Sequence, residues 1–133
     1  MAKLLLIDDD DITNFTVDAI LSQVDAVESY EIKNNGWDAL EFLNQCQNQF
    51  PDLIFVDLNM PEMDGFEFIE RYEATFWKHH QQTRVNVLSS SVSEKDRQRS
   101  LGYQCVSEYT YKPLTEEKLE NIVLSLRQSA ERT

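Results

Sequence analysis

Two unbroken apolar runs, "LLLI" at Leu4–Ile7 in the strand "KLLLI" (Lys3–Ile7) and "LIFV" at Leu53–Val56, most constrain what this chain can become. A strand with one wet face alternates apolar and polar residues; these runs do not. They are also far too short for a membrane span. Short continuous apolar runs read as strands buried on both faces, the pattern of a parallel sheet covered by helices on each side. The remaining chain alternates in the same sense. Ile12–Val24 reads as a helix, with Ile12, Phe15 and Ala19 near helical spacing, and "ESYEIK" (Glu28–Lys33) as a strand with one wetter face. After the turn signal "NNG", Trp37, Leu40 and Leu43 give a second helix. Phe66, Ile69, Tyr72 and Phe76 give a third, and "VNVLS" (Val85–Ser89) is a fourth strand. Ser93 caps a short helix over Glu94–Leu101, with Asp96 at the capping-box position. "CVSEYTY" (Cys105–Tyr111) is a fifth strand, and Thr115 caps a last helix carrying Leu119, Ile122, Val123 and Leu126. Five alternating units predict an α/β protein with a doubly wound parallel sheet.

The 133 residues suit one domain over 1–133 with a core at about 3–127. The net charge is −12, which argues against a nucleic-acid partner, since such binding neutralises phosphates with Lys and Arg. The charge is uneven: residues 1–75 carry −14 and residues 76–133 carry +2. A divalent cation would help offset acid concentrated in the first half. Cys46 and Cys105 lack metal-type spacing and read as incidental thiols of a reduced, cytoplasmic protein. No signal peptide or membrane span is evident. His79 and His80, in the long loop "FWKHHQQT", read as solvated rather than as metal ligands.

Ligands of doubly wound sheets bind outside the carboxyl ends of the strands. Strand one delivers "DDDD" (Asp8–Asp11) there, strand three Asp57, strand four Ser89-Ser90-Ser91, and strand five Lys112-Pro113. Taken singly these are ordinary: an acid run at a helix start, a serine loop, a Lys-Pro turn. Together they combine hard oxygen ligands suited to Mg²⁺, a carboxylate nucleophile, and a hydroxyl and an ammonium able to hold phosphoryl oxygens.

With "LLLIDDDD", "IFVDLNMPEMDG", "VNVLSSS" and "EYTYKPL" in order, the chain resembles the receiver domains of two-component response regulators over nearly its whole length. The resemblance implies a flavodoxin-like (βα)5 fold with strand order 2-1-3-4-5; that order comes with the family, not from the pattern. It also implies that Asp57 is the phosphoacceptor, that Asp8, Asp9, Asp57 and the backbone carbonyl of Asn59 hold Mg²⁺ or Mn²⁺, and that Ser89 and Lys112 serve the phosphoryl group. Ser89 and Tyr109 take the switch positions, and Lys112-Pro113 the cis peptide. The implied donors are a sensor histidine kinase or a histidine phosphotransfer protein. A downstream protein would read the face formed by helix four, strand five and helix five, or phosphorylation would drive a homodimer. No output domain, membrane or nucleic-acid role follows, and such a chain is not an enzyme beyond its own phosphorylation and dephosphorylation. One segment departs from the family: "LGYQCVSEY" stands where a small "AGA"-like stretch is usual.

Three other readings compete. Asp9-Asp10-Asp11-Ile12-Thr13 satisfies the DxDxT motif of haloacid-dehalogenase-like phosphohydrolases, but nothing late in the chain supplies their further acidic pair. An FMN-binding flavodoxin needs a phosphate loop after strand one, where this acid run would repel the phosphate. A receiver acting as an unphosphorylated docking module would leave the filled motif positions unused.

Overall fold

The computed structural model describes residues 2–131, with side chains described through Leu126. Five parallel strands lie in the order β2-β1-β3-β4-β5: β1 Ala2–Ile7, β2 Val27–Lys33, β3 Leu53–Val56, β4 Arg84–Ser89 and β5 Val106–Tyr111. Between and after them run α1 Asp11–Leu21, α2 Gly36–Gln45, α3 Gly65–Thr75, α4 Glu94–Leu101 and α5 Glu116–Glu131. This is the flavodoxin-like arrangement.

The unbroken apolar runs do what their pattern predicts. On β1, Leu5 and Ile7 enter one core, with Ile54 and Val56 of β3, Val85 and Val87 of β4, and the inner faces of α2 and α3. Leu4 and Leu6 face the opposite core, with Leu53, Phe55 and Leu88, against α1 and α5. Each central strand is therefore buried on both sides, which a single-sided sheet would not require.

Helix phase departs from the expectation at α1. Its buried residues are Asn14, Val17 and Leu21, whereas Ile12 and Phe15 are 77% and 76% exposed and Ala19 also faces solvent. Both triplets fit helical spacing, so local pattern does not choose between them. On α2, Ala39 and Leu43 are buried, but Trp37 is half exposed, its ring covered by the Arg71 guanidinium at 4.6 Å. His80 is packed rather than solvated, stacked on Phe50 with centroids 3.6 Å apart. His79 is exposed, as expected.

At α4, Ser93 Oγ accepts from Asp96 N at 3.3 Å. The reciprocal half of the capping box is replaced: the Asp96 carboxylate accepts from Ser91 Oγ at 2.8 Å, and Ser93 N donates to Ser91 Oγ at 3.2 Å. The unusual "LGYQCVSEY" segment is anchored to α3, through Tyr103 Oη to Glu70 at 2.5 Å and Cys105 N to Glu73 at 3.0 Å.

Candidate functional site

Strand register explains why distant residues meet. Ile7 pairs with Val56 across β1 and β3, so the residues that follow, Asp8 and Asp57, leave neighbouring strands that run about 5 Å apart. Asp57 N donates to Ile7 O at 3.0 Å, and Asp8 N to Lys33 O at 3.1 Å, so pairing continues to the mouth of the site. On the other side Ser89 pairs with Tyr111, and Lys112 N donates to Ser89 O at 2.9 Å. The Lys112-Pro113 peptide is cis, as expected.

The side chains converge accordingly. Lys112 Nζ lies 2.7 Å from Asp8 Oδ2 and 3.5 Å from Asp57 Oδ1. Asp8 is fully buried, Asp57 is 5% exposed, and Asp9 is open to solvent. Ligand oxygens of Asp8, Asp9 and Asp57 all lie within 4.8 Å of one another. Burial, reinforced by the Asp8 charge, raises the Asp57 carboxyl to about 6, although Lys112 pulls the other way. Burial alone would lower the Lys112 ammonium, but the adjacent charge of Asp8, followed by that of Asp57, holds it above its ordinary value.

The "DDDD" run divides into two tasks. Asp8 and Asp9 belong to the cluster. Asp10 is the N-cap of α1, its carboxylate accepting from Thr13 N at 3.2 Å and Thr13 Oγ1 at 2.6 Å, and Asp11 lies in the first turn. The DxDxT reading thus finds its threonine hydroxyl engaged in a helix cap, while Asp57 and Lys112 take the places beside the acids.

The other motif residues stand as follows. Ser89 is fully buried and its Oγ accepts from Ser91 N at 3.0 Å. Tyr109 is half-buried, its hydroxyl donating to Ser91 O at 3.0 Å. Ser91 therefore connects Ser89, Tyr109 and, through Asp96, helix α4. Asn59 is exposed, two residues beyond Asp57. One participant goes unnoticed in the sequence: Asn14, which donates from Nδ2 to Asp8 O at 2.8 Å. The signal for it is a polar residue in phase with Val17 and Leu21.

The loop after Asp57 turns through Glu62 in a left-handed conformation, φ 65°, and returns at Gly65, whose N–H donates to Leu58 O at 2.9 Å. A Cβ on Gly65 would sit 2.4 Å from Asp57 O and 2.7 Å from Leu58 Cα. Both are backbone atoms, so the loop itself has to move. Gly65→Ala is expected to cost about 2 kcal/mol, seen as a lower urea midpoint. An unchanged midpoint would show that the loop yields freely.

A sheet of this topology with acids and a lysine at its carboxyl edge defines a class of phosphoryl-accepting signalling domains, and the comparisons agree. Residues 4–124 match the response regulator receiver domain family. The chain is 31% identical over 124 residues to the signal transduction histidine-protein kinase BarA of Escherichia coli K12, covering 93% of this chain and 13% of the kinase. It thus spans a small part of that relative. A two-component response regulator from Cytophaga hutchinsonii superposes with a TM-score of 0.87 at 32% identity, covering 95% of this chain and 96% of that one. The Mn²⁺-bound form of response regulator Rcp1 does so with a TM-score of 0.73 at 26% identity, covering 95% and 91%. The chain belongs to the response regulator receiver family and is a phosphoacceptor signalling domain of two-component systems. Among the described residues no helix is long and apolar enough to cross a membrane.

Proposed function

We propose that Asp57 accepts a phosphoryl group from a sensor histidine kinase or histidine phosphotransfer protein, with Mg²⁺ or Mn²⁺ held by Asp8, Asp9, Asp57 and the Asn59 carbonyl. The observation that carries this reading is the convergence of three carboxylates, two of which, Asp8 and Asp57, also meet the Lys112 ammonium. The donor set fits such a cation. Oxygens bound at about 2.1 Å to one octahedral ion stand roughly 3 to 4 Å apart, so the 4.8 Å spread needs only a small contraction. The structural neighbour carrying Mn²⁺ supports the same choice of ion. The cation, when bound, offsets the carboxylate charge and screens the negative donor.

Asp57 is the buried carboxylate that follows β3. One of its oxygens forms the new O–P bond as the P–N bond of a phosphohistidine breaks. The electron pair leaves with the imidazole, which takes up a proton. The Lys112 ammonium and the Ser89 hydroxyl bind phosphoryl oxygens. Movement of Ser89 toward the phosphoryl group would be felt at Ser91, because Ser91 N donates to the Ser89 hydroxyl. From Ser91 it would pass to the Tyr109 hydroxyl and to Asp96 of α4. Helix α4 buries only Ser100, so little packing opposes its displacement. This supports α4, β5 and α5 as the face read by a downstream protein, or by a second copy of the chain after phosphorylation.

Incubation with acetyl phosphate and Mg²⁺ is expected to add about 80 Da, one phosphoryl group, on the peptide containing Asp57. Chelation should abolish the adduct. An adduct on another residue, or one indifferent to chelation, would overturn the reading.

A further inference from the structure

We infer that Asn14 is a positioning residue for the cation site, its amide tying the acidic turn after β1 to the loop after β2. The inference rests on the cation reading above. Asn14 is 9% exposed on the face of α1 that otherwise buries Val17 and Leu21. Its Nδ2 donates to Asp8 O at 2.8 Å and to Asn34 Oδ1 at 3.3 Å, while its own Oδ1 has no hydrogen-bond partner. An apolar side chain would suit that face for packing alone, because a buried amide with an unpaired oxygen is costly. What the amide supplies is a donor for the Asp8 carbonyl, which lies beyond the last β1–β2 pair, Ile7 with Lys33.

That carbonyl matters because it belongs to the peptide joining the two acids. Asp8 is otherwise held on every side: its N–H on Lys33 O, Oδ1 by Asp10 N at 3.0 Å, and Oδ2 by Lys112. Asp9 is exposed, and its place follows from the backbone that carries it. Fixing the Asp8–Asp9 peptide plane therefore sets where the Asp9 carboxylate stands relative to Asp8 and Asp57. Asn34, in the loop just after β2, holds the Asn14 amide in the orientation that does this.

Amide NMR titration of the full chain with MgCl₂ tests the inference, using parent, Asn14→Ala, Asn34→Ala and Val17→Ala. Groups that orient metal ligands typically contribute 10- to 100-fold in affinity. Asn14→Ala is therefore expected to weaken Mg²⁺ binding about 10-fold or more, and Asn34→Ala by a few fold. Val17→Ala opens a cavity on the same helix without touching the turn, and should bind Mg²⁺ like the parent. Parental affinity in Asn14→Ala overturns the inference, as does an equal loss in Val17→Ala, which would mark general helix destabilisation. Should Asn14→Ala fail to fold, exposed Asn34 decides: parental affinity in Asn34→Ala overturns the tie. A parent that shows no Mg²⁺ response overturns the cation reading and this inference with it, whereas a normal parent beside a normal Asn14→Ala overturns the inference alone.

Discussion

Asp57→Asn is expected to make the metal-free protein more stable at neutral pH while abolishing its phosphorylation. Burial and the Asp8 charge raise the folded-state carboxyl from 3.8 to about 6. Between those values the folded protein holds a proton that the unfolded chain has lost. Stability from this group therefore falls as pH rises through about 4 to 6, and the full penalty is present above that window. A rise of about two units corresponds to at most about 3 kcal/mol. The variant should gain about 1 to 3 kcal/mol in urea unfolding at pH 7.5 with a chelator present. Parent and variant should converge below about pH 4, where both carry a neutral group at position 57. Mg²⁺ should close the gap from the other side, stabilising the parent by about 1.4 kcal/mol at ten times its Kd, with less effect on the variant. A variant less stable than the parent at pH 7.5 would mean that Lys112 outweighs burial and Asp8.

Lys112→Met is expected to have the opposite effect on the fold and a severe one on the chemistry. The methionine keeps most of the buried stem but removes the ammonium from Asp8 Oδ2 at 2.7 Å and Asp57 Oδ1 at 3.5 Å. Two carboxylates buried to 0% and 5% exposure then face each other without a counter-charge. Removing one partner of such a set costs about 3 kcal/mol, measurable by urea unfolding without metal. Mg²⁺ should restore much of this, because it supplies the missing positive charge. Phosphorylation should not recover with it: a lost donor to the transferring group costs on the order of 100-fold in rate. Phosphorylation by acetyl phosphate at the parental rate would show that the ammonium does not touch the phosphoryl group.

Much of the site was legible because its parts are local in sequence and the topology is regular. Unbroken apolar runs mark central strands, parallel strands end at one edge, and whatever follows each run is delivered there. Asp8, Asp57, Ser89 and Lys112 each stand at or one residue beyond a strand end, so their convergence needed no knowledge of individual contacts. Their pairing distances did need it, as did the split of the "DDDD" run, since all four aspartates are compatible with a helix start.

The sequence by itself determined the sheet class and the edge at which the chemistry lies, because burial on both faces is written into consecutive residues. Only the tertiary structure decided helix phase and the side-chain ties that depend on it. Ile12, Phe15 and Ala19 share the spacing of Asn14, Val17 and Leu21, two residues further on and about 200° around the helix. Packing against Leu4, Leu6 and Leu53 selects the second set for Val17 and Leu21. That choice turns Ile12 and Phe15 to solvent and Asn14 onto the Asp8 carbonyl. The same holds for His80 on Phe50 and Tyr103 on Glu70. Such contacts join residues about 30 positions apart, and no local pattern carries the geometry that brings them together.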